Sequence, residues 1–250
     1  SFMADFKFPT EMVELPSKGY FYFDGHPLSS GKVEIKYMTA KEEDILTSQN
    51  LIQQGTVIDK LLESLIVDKS IKIDDMLIGD KNAIMVASRI LGYGKEYDIE
   101  YDGTKQTVDL STLEPIDIDF SKLSKGENKF SFNLPSSKRE ITFKLLNSGD
   151  EKKITEEVQA RKKISENDNS ELTTRLKHMI FSVDGETKKS YINNFVENEF
   201  LSLDSLAYRK YLATITPDVD MNMTVKDSTG REQVITVPIT VRFFWPDTGV

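Results

Sequence analysis

Residues 219–243, VDMNMTVKDSTGREQVITVPITVRF, decide the fold class of this chain. Apolar and polar side chains alternate on both sides of a turn at residues 227–230, and a period of two is typical of β-strands with one buried face. The apolar face of the second strand comprises Ile235, Val237, Ile239, Val241 and Phe243. A lone hairpin is marginal in water. We therefore expect this face to pack on the helix at residues 57–66 or on a hairpin in the middle of the chain.

Two further hairpins precede this stretch. Asp102-Gly103, a strong cue for a tight hairpin turn, separates alternating segments at residues 97–101 and 106–108. Residues 130–134 and 141–145 alternate in the same way around a longer loop. Pro238 in the last hairpin lacks a backbone N–H, so we expect it at a sheet edge or a bulge.

Helical spacing of apolar residues dominates the rest of the chain. The pattern at Thr39 and Glu42 is that of a capping box, which predicts a helix from residue 39 to about 49. Other helices are predicted at residues 56–66, 80–91, 150–167, 172–180, 191–196 and 203–212. Helices in blocks and strands in hairpins, without regular βαβ alternation, predict an α+β fold in which helical blocks pack with ribbon-like hairpins.

The order of these patterns divides the chain into three segments. Residues 1–113 form a strand and helix region with the first hairpin, and residues 114–203 hold the middle hairpin and a helical insertion. Residues 204–250 contain the C-terminal helix and the long hairpin. We expect this last segment to form one compact unit with residues 1–113.

Composition excludes several classes of function. The net charge of −9 disfavours nucleic acid as a partner, because affinity for polyanions comes largely from basic surface. The absence of cysteine excludes disulfides, thiolate catalysis and thiolate metal sites. No apolar run reaches the roughly 18 residues of a membrane span, and residues 1–10 lack the pattern of a secretory signal. We expect neither nucleic acid nor membrane as a partner.

No residue pattern indicates catalysis. The two histidines, His26 and His178, have no nucleophile or metal-ligand motif beside them. The acidic pairs at residues 74–75 and 117–119 lack the other oxygen ligands and the glycine of a calcium loop. We therefore expect no enzyme activity, no catalytic residue, no cofactor and no metal.

Two clusters of aromatic side chains are candidates for a partner interface, where aromatics are enriched. The clusters consist of Tyr20, Phe21, Tyr22 and Phe23, and of Phe243, Phe244 and Trp245. The alternative interpretation is that both belong to the protein's own core. A split between core and interface is the third possibility, and the sequence leaves all three open.

Three parts of the chain carry motifs that resemble those of one known protein family. The first is a long block near the N-terminus, the second a helix with its following hairpin, and the third lies near the C-terminus. The segments are residues 13–22 (VELPSKGYFY), 26–31 (HPLSSG), 37–46 (YMTAKEEDIL), 80–94, 204–211 (DSLAYRKY), 217–220 (PDVD) and 243–246 (FFWP). These segments resemble the baseplate hub subunit family of T-even-like contractile-tailed bacteriophages, whereas residues 114–203 carry no such resemblance.

The resemblance implies a structural component of the tail baseplate hub that binds other tail proteins during assembly. It also implies a symmetric assembly, a location in the virion tail, synthesis in the host cytoplasm and the tape-measure protein as a possible partner. The alternative is a tail-assembly chaperone, for example for the tape-measure protein, that is absent from the mature virion.

The chain departs from this family in two hairpin turns. Family members often carry a cysteine pair in each of two turns, which together resemble a zinc-ribbon site. The corresponding turns here are residues 102–105 (DGTK) and 227–230 (DSTG), and neither has a thiol. We therefore expect both hairpins to be present and no zinc to be bound between them.

Overall fold

The structure is a computed structural model that describes residues 9–245. Expectations about residues 1–8, including the lack of a secretory signal, and about Pro246 lie outside the described residues. The α+β class is confirmed. The α-helices, numbered in chain order, are α1 Ala40–Leu46, α2 Gln49–Gln54, α3 Val57–Leu65, α4 Ile78–Tyr93, α5 Ser148–Ile164, α6 Glu171–Met179, α7 Lys189–Asn194 and α8 Ser202–Ile215.

The strands form small antiparallel sheets. In chain order they are β1 Thr10–Glu14, β2 Lys32–Lys36, β3 Glu96–Tyr101, β4 Thr104–Asp109, β5 Phe130–Asn133, β6 Glu140–Phe143, β7 Ile180–Val183, β8 Asn222–Lys226 and β9 Glu232–Thr236. Strands β1 and β2 pair with each other, as do β3 with β4 and β8 with β9, whereas β5, β6 and β7 form a three-stranded sheet. Short 3-10 helices lie at Pro27–Ser30, Ile73–Asp75, Leu110–Thr112, Phe120–Lys122 and Val241–Phe244.

Local side-chain chemistry sets where the first helices begin and end. The capping box at Thr39 and Glu42 starts α1, as expected. The prediction that this helix continues to residue 49 is wrong, because Ser48 caps a new helix by accepting a hydrogen bond from the amide of Leu51. The apolar stripe of α3 is buried, which fixes this helix against the core.

The hairpin between β3 and β4 has the expected tight turn. Asp102 and Gly103 have φ angles of 51° and 74°, and positive values at both central residues match the twist of the flanking strands. Strand β7 was not expected, because Ile180 was assigned to the preceding helix. The β-rich sequence Ile180–Val183 instead pairs with β6.

The C-terminal hairpin is shorter than expected. Strand β9 ends at Thr236, and the prediction that it runs to Phe243 is wrong because Pro238 has no N–H to donate to the ladder. The chain then forms the 3-10 helix Val241–Phe244. The C-terminal segment packs beside the hairpin of β3 and β4: β8 lies beside β4, and the ring of Phe243 is centred 5.2 Å from that of Tyr97.

One apolar cluster draws side chains from all three predicted segments. Leu15, Leu61 and Ile84 from the first segment belong to this cluster together with Phe143 from the second and Phe243 from the third. The division of the chain at residues 113 and 203 stays a prediction. Both aromatic clusters contact α4: Tyr22 bonds to Asp80, and the carbonyl of Phe243 bonds to Arg89.

Candidate partner interface

The first aromatic cluster, residues 20–23, is split between the core and the surface. Phe21 and Tyr22 are 3% and 7% exposed, Tyr20 is half-buried, and Phe23 is 62% exposed. Phe21 packs edge-on against Phe130, with ring centres 5.1 Å apart. Phe21 and Tyr22 therefore serve the protein's own core, and Phe23 is the member that a partner can reach.

A buried carboxylate holds this segment in place. Asp80, in the first turn of α4, accepts hydrogen bonds from the amide of Ser17 at 3.0 Å, the hydroxyl of Ser17 at 2.6 Å and the hydroxyl of Tyr22 at 2.7 Å. Burial raises the pKa of the Asp80 carboxyl, while these hydrogen bonds oppose the rise. Every acceptor oxygen is used, so Asp80 anchors the loop and does not offer an open site.

Phe23 rests on a fixed support. His26 stacks on Tyr22 with ring centres 5.2 Å apart, and Phe23 meets His26 edge-on at 4.9 Å. The Nδ1 atom of His26 accepts a hydrogen bond from the amide of Leu28 at 3.0 Å, which caps the short helix that follows. The histidine thus has a structural role, and its ring supports the exposed ring of Phe23.

The second aromatic cluster is divided in the same way. Phe243 and Phe244 are fully buried, and Trp245 is 42% exposed. The guanidinium of Arg89 donates to the carbonyl oxygen of Phe243 at 2.9 Å, and the indole Nε1 of Trp245 donates to the carbonyl oxygen of Leu46 at 3.2 Å. The end of the described chain is therefore fastened to α4 on one side and α1 on the other.

Trp245 borders a shallow apolar cavity of about 370 Å³. Leu46, Ile52 and Tyr93 line this cavity together with Trp245. The exposed aromatic ring and the apolar cavity beside it form a surface of the kind that partner side chains fill at interfaces. Interface roles for all seven aromatic residues stay a prediction, and Phe23 and Trp245 are the two whose exposure suits it best.

The hairpin turns at residues 102–105 and 227–230 lie side by side. The carboxylate of Asp102 accepts hydrogen bonds from the amide and the hydroxyl of Ser228 at 2.9 and 2.7 Å. The side chain of Gln106 accepts from the amide of Lys226 and donates to its carbonyl oxygen, both at 2.8 Å. Hydrogen bonds thus join the two turns where the resemblance implies that relatives hold a metal.

The remaining candidates for catalysis or metal binding, the histidines and the acidic pairs, do not form a common site in residues 9–245. His178 contacts Glu157 at 3.3 Å, and Asp75 contacts His26 at 3.4 Å. Among residues 9–245, no three His, Cys, Asp or Glu side chains come together as a metal site would require. In the same part of the chain, no helix is both long enough and apolar enough to cross a bilayer.

Sequence reasoning missed the two polar side chains that organise both clusters. Asp80 and Arg89 lie in α4, and both are at least 95% buried. A charged residue on the apolar face of a predicted helix indicates a buried polar contact, because such a group is rarely buried without partners. Their partners are backbone and hydroxyl groups distant in sequence, which no spacing pattern reveals.

Comparison with known proteins gives one match. A family model described as T4 bacteriophage base plate protein matches residues 10–245, nearly the whole chain. No curated protein and no solved structure matches the chain.

Proposed function

The chain belongs to the T4 bacteriophage base plate protein family, and we propose that it is a structural component of the baseplate hub that binds other tail proteins during assembly. Family membership makes it a phage baseplate structural protein with a location in the virion tail and other tail proteins as partners. The hub position, the assembly role and the tape-measure protein as a partner are the proposed parts.

The match over residues 10–245 carries the proposal. The N-terminal stretches that resemble hub subunits support the hub position, and they are residues 13–22, 26–31 and 37–46. In the structure these stretches include the end of β1 and the whole of α1, and the exposed Phe23 lies between the first stretch and the second.

The surface supports a binding role. Phe23 and Trp245 are large apolar side chains whose rings lie partly in solvent, while the residue before each of them is buried. Each is oriented by a contact of its own: Phe23 by His26, and Trp245 by the carbonyl oxygen of Leu46. An aromatic ring held in place before binding loses little side-chain entropy when a partner covers it.

We propose a non-enzymatic role, as expected for a structural baseplate family. The buried polar groups support it, because Asp80 and Arg89 are occupied by hydrogen bonds inside the fold. The hydroxyl group of Ser17, which contacts Asp80, is itself fully buried.

Quantitative mass spectrometry of purified virions tests the hub proposal. A structural hub component is present in a fixed ratio to the other baseplate proteins. Recovery of the protein from tail assembly intermediates, with none in the finished virion, would contradict the proposal and support the chaperone alternative.

Chemical cross-linking of intact virions tests the partners. We expect cross-links from this chain to hub proteins and to the tape-measure protein, and cross-links between copies if the chain takes part in a symmetric ring. A virion that contains the protein but yields no tail-protein neighbour would exclude the proposed contacts.

A further inference from the structure

We propose that the free edge of β1 accepts an extended, acidic segment of a partner protein as an additional β-strand. This surface is separate from Phe23 and Trp245. The proposal does not depend on whether the protein remains in the finished virion, so it goes beyond the proposed function.

The hydrogen-bond pattern of β1 identifies its free edge. The amide of Leu15 donates to the carbonyl oxygen of Gly31 at 2.8 Å, and Val13 lies opposite Val33 in the antiparallel register. In such a pair, alternate residues direct their backbone groups toward the neighbouring strand. The odd-numbered residues of β1 therefore bond to β2, and the even-numbered ones point the other way.

Met12 and Glu14 are the residues whose backbone groups face away from β2. The sheet has two strands, and within residues 9–245 no other segment bonds to these amides and carbonyls. A row of unpaired N–H and C=O groups is the template that strand addition uses. The side chain of Met12 is 55% exposed, so the face of the sheet that carries it is open to solvent.

An apolar groove of about 540 Å³ adjoins the C-terminal end of β1, at Val13 and Glu14. Val13 lines it from β1, Val86 and Ile90 line it from α4, and residues 110–115 contribute further lining. Helix α4 packs against β1. Alternate side chains of an added strand point to opposite faces, so one set can fill this groove while the backbone bonds to Met12 and Glu14.

The charge of the groove favours an acidic segment. Lys18 and Lys32 line the groove near the Glu14 end of β1, and both are exposed. Neither forms a salt bridge with any carboxylate of residues 9–245. Glu14 supplies the opposing charge in the lining, so the local balance is positive in a chain whose net charge is −9. A segment with carboxylates at this end complements the two lysines.

The test uses the full chain and a fluorescein-labelled peptide of about ten residues, in which valine and threonine alternate and glutamates occupy one end. Fluorescence anisotropy measures its binding. Met12→Pro removes one outward N–H, which an edge strand tolerates, and Met12→Ala is the matched control that keeps it. We expect Met12→Pro to weaken binding about tenfold and Met12→Ala to leave it unchanged.

The charge argument has its own control. A second peptide carries lysines in place of the glutamates, and a Lys18→Glu, Lys32→Glu double variant reverses the charge of the groove. We expect the native chain to prefer the acidic peptide and the double variant to prefer the basic one. If the thermal melt shows that Met12→Pro does not fold, the reversed peptide preference of the double variant still tests the proposal. The absence of saturable binding, or equal binding of both peptides, would overturn the proposal.

Hydrogen exchange distinguishes other occupants of the edge. In the free chain we expect the amides of Met12 and Glu14 to exchange rapidly and to become protected on binding the acidic peptide. Protection in the free chain that disappears on deletion of residues 1–8 would assign the edge to the protein's own N-terminal segment. Protection that grows with protein concentration would assign it to a second copy. Either result would overturn the proposal.

Discussion

The guanidinium of Arg89 donates a hydrogen bond to the backbone carbonyl of Phe243, which lies 154 residues further along the chain. The same guanidinium donates to the carbonyl oxygens of Gly94 at 2.8 Å and Glu96 at 3.3 Å. It thus joins the end of α4, the start of β3 and the C-terminal 3-10 helix. Burial lowers the pKa of Arg89, because it disfavours the charged form of the guanidinium. Carbonyl dipoles and the faces of neighbouring rings stabilise the buried cation.

Replacement of Arg89 by methionine tests the strength of this link. Arg89→Met keeps much of the side-chain volume but removes the donors, which leaves the carbonyl of Phe243 without its bond from Arg89. Because a hydrogen bond to a charged group is worth roughly 1.5–3 kcal/mol, we expect a loss of about 3 kcal/mol in the free energy of unfolding. Urea denaturation measures it. Arg231→Met, at an exposed position in the hairpin turn, is the control, and equal small losses would show that the link contributes little.

The hydrogen bond between Arg89 and Phe243 illustrates which parts of the fold the sequence predicts and which it does not. Patterns that depend on near neighbours were read correctly: the tight turn at Asp102-Gly103 and the capping box at Thr39. Contacts between segments that are distant in sequence are not predictable in this way, and the course of the chain after Pro238 is an example. The alternation continues to Phe243, but the chain leaves the strand and buries Phe243 through Arg89 and Tyr97.

The aromatic clusters are a second case in which sequence pattern does not predict contacts between distant segments. Residues 20–23 are uniformly aromatic, so no sequence period separates Phe21 and Tyr22 from Phe23. The separation comes from Asp80, which draws the hydroxyl of Tyr22 inward at 2.7 Å. Exposure of a single member is therefore a tertiary property. Strand β7 was missed for a related reason, because pairing with β6 overrides the helical spacing that ends at Ile180.

Phe243→Ala should destabilise the chain clearly. The side chain is fully buried, and truncation of a buried phenylalanine costs about 3–5 kcal/mol from a total stability of about 5–15 kcal/mol. Arg242→Ala, at the exposed neighbouring position, should do little. Thermal melts of both variants measure the difference. Equal and small shifts would mean that the segment does not pack within the monomer, and assembly into tails would then be the property that separates the two.

Glu42 should make stability depend on pH. Burial alone would raise the pKa of this carboxyl, but hydrogen bonds from Lys36, Thr39 and Ser64 lower it from 4.5 to about 2. A lowered pKa in the folded state contributes stability above the unfolded value, and the contribution is lost as the pH falls from about 4.5 toward 2. The shift corresponds to about 3 kcal/mol.

Glu42→Gln removes this titration. We expect the difference in unfolding free energy between the native chain and Glu42→Gln to be largest at neutral pH and to shrink as the pH falls from 5 to about 2. Asp44→Asn, an exposed carboxylate in the same helix, is the control and should show a much smaller change. Urea unfolding at a series of pH values measures both, and a difference that is constant with pH would contradict the assignment.

The contact between Asp102 and Ser228 should hold the two hairpin turns together without metal. We expect Asp102→Ala to speed exchange of the Ser228 amide, because this amide donates to the lost carboxylate. Asp102→Asn keeps an acceptor oxygen and should have a smaller effect. Hydrogen exchange measured by NMR resolves the single amide. Elemental analysis of the native chain should find no stoichiometric zinc, and its presence would contradict the role given to these hydrogen bonds.

The exposed aromatic Phe23 separates binding from folding. Because its ring is 62% exposed, Phe23→Ser should change the unfolding free energy by no more than about 0.5 kcal/mol, as for most surface substitutions. If a tail partner covers the ring, the same change should reduce incorporation into tails about tenfold or more, as expected for loss of a buried aromatic anchor. Mass spectrometry of tails assembled with each variant measures incorporation.

Two matched variants make this result interpretable. Ile164→Ser replaces a side chain that is 91% exposed at the end of α5 and should leave both stability and incorporation unchanged, since exposure alone does not create an interface. Phe21→Ala removes a buried neighbour of Phe23 and should lower stability first, with any loss of incorporation following from unfolding. Normal incorporation of Phe23→Ser would exclude Phe23 from the interface and leave Trp245 as the accessible aromatic candidate, to be tested by Trp245→Ser in the same assay.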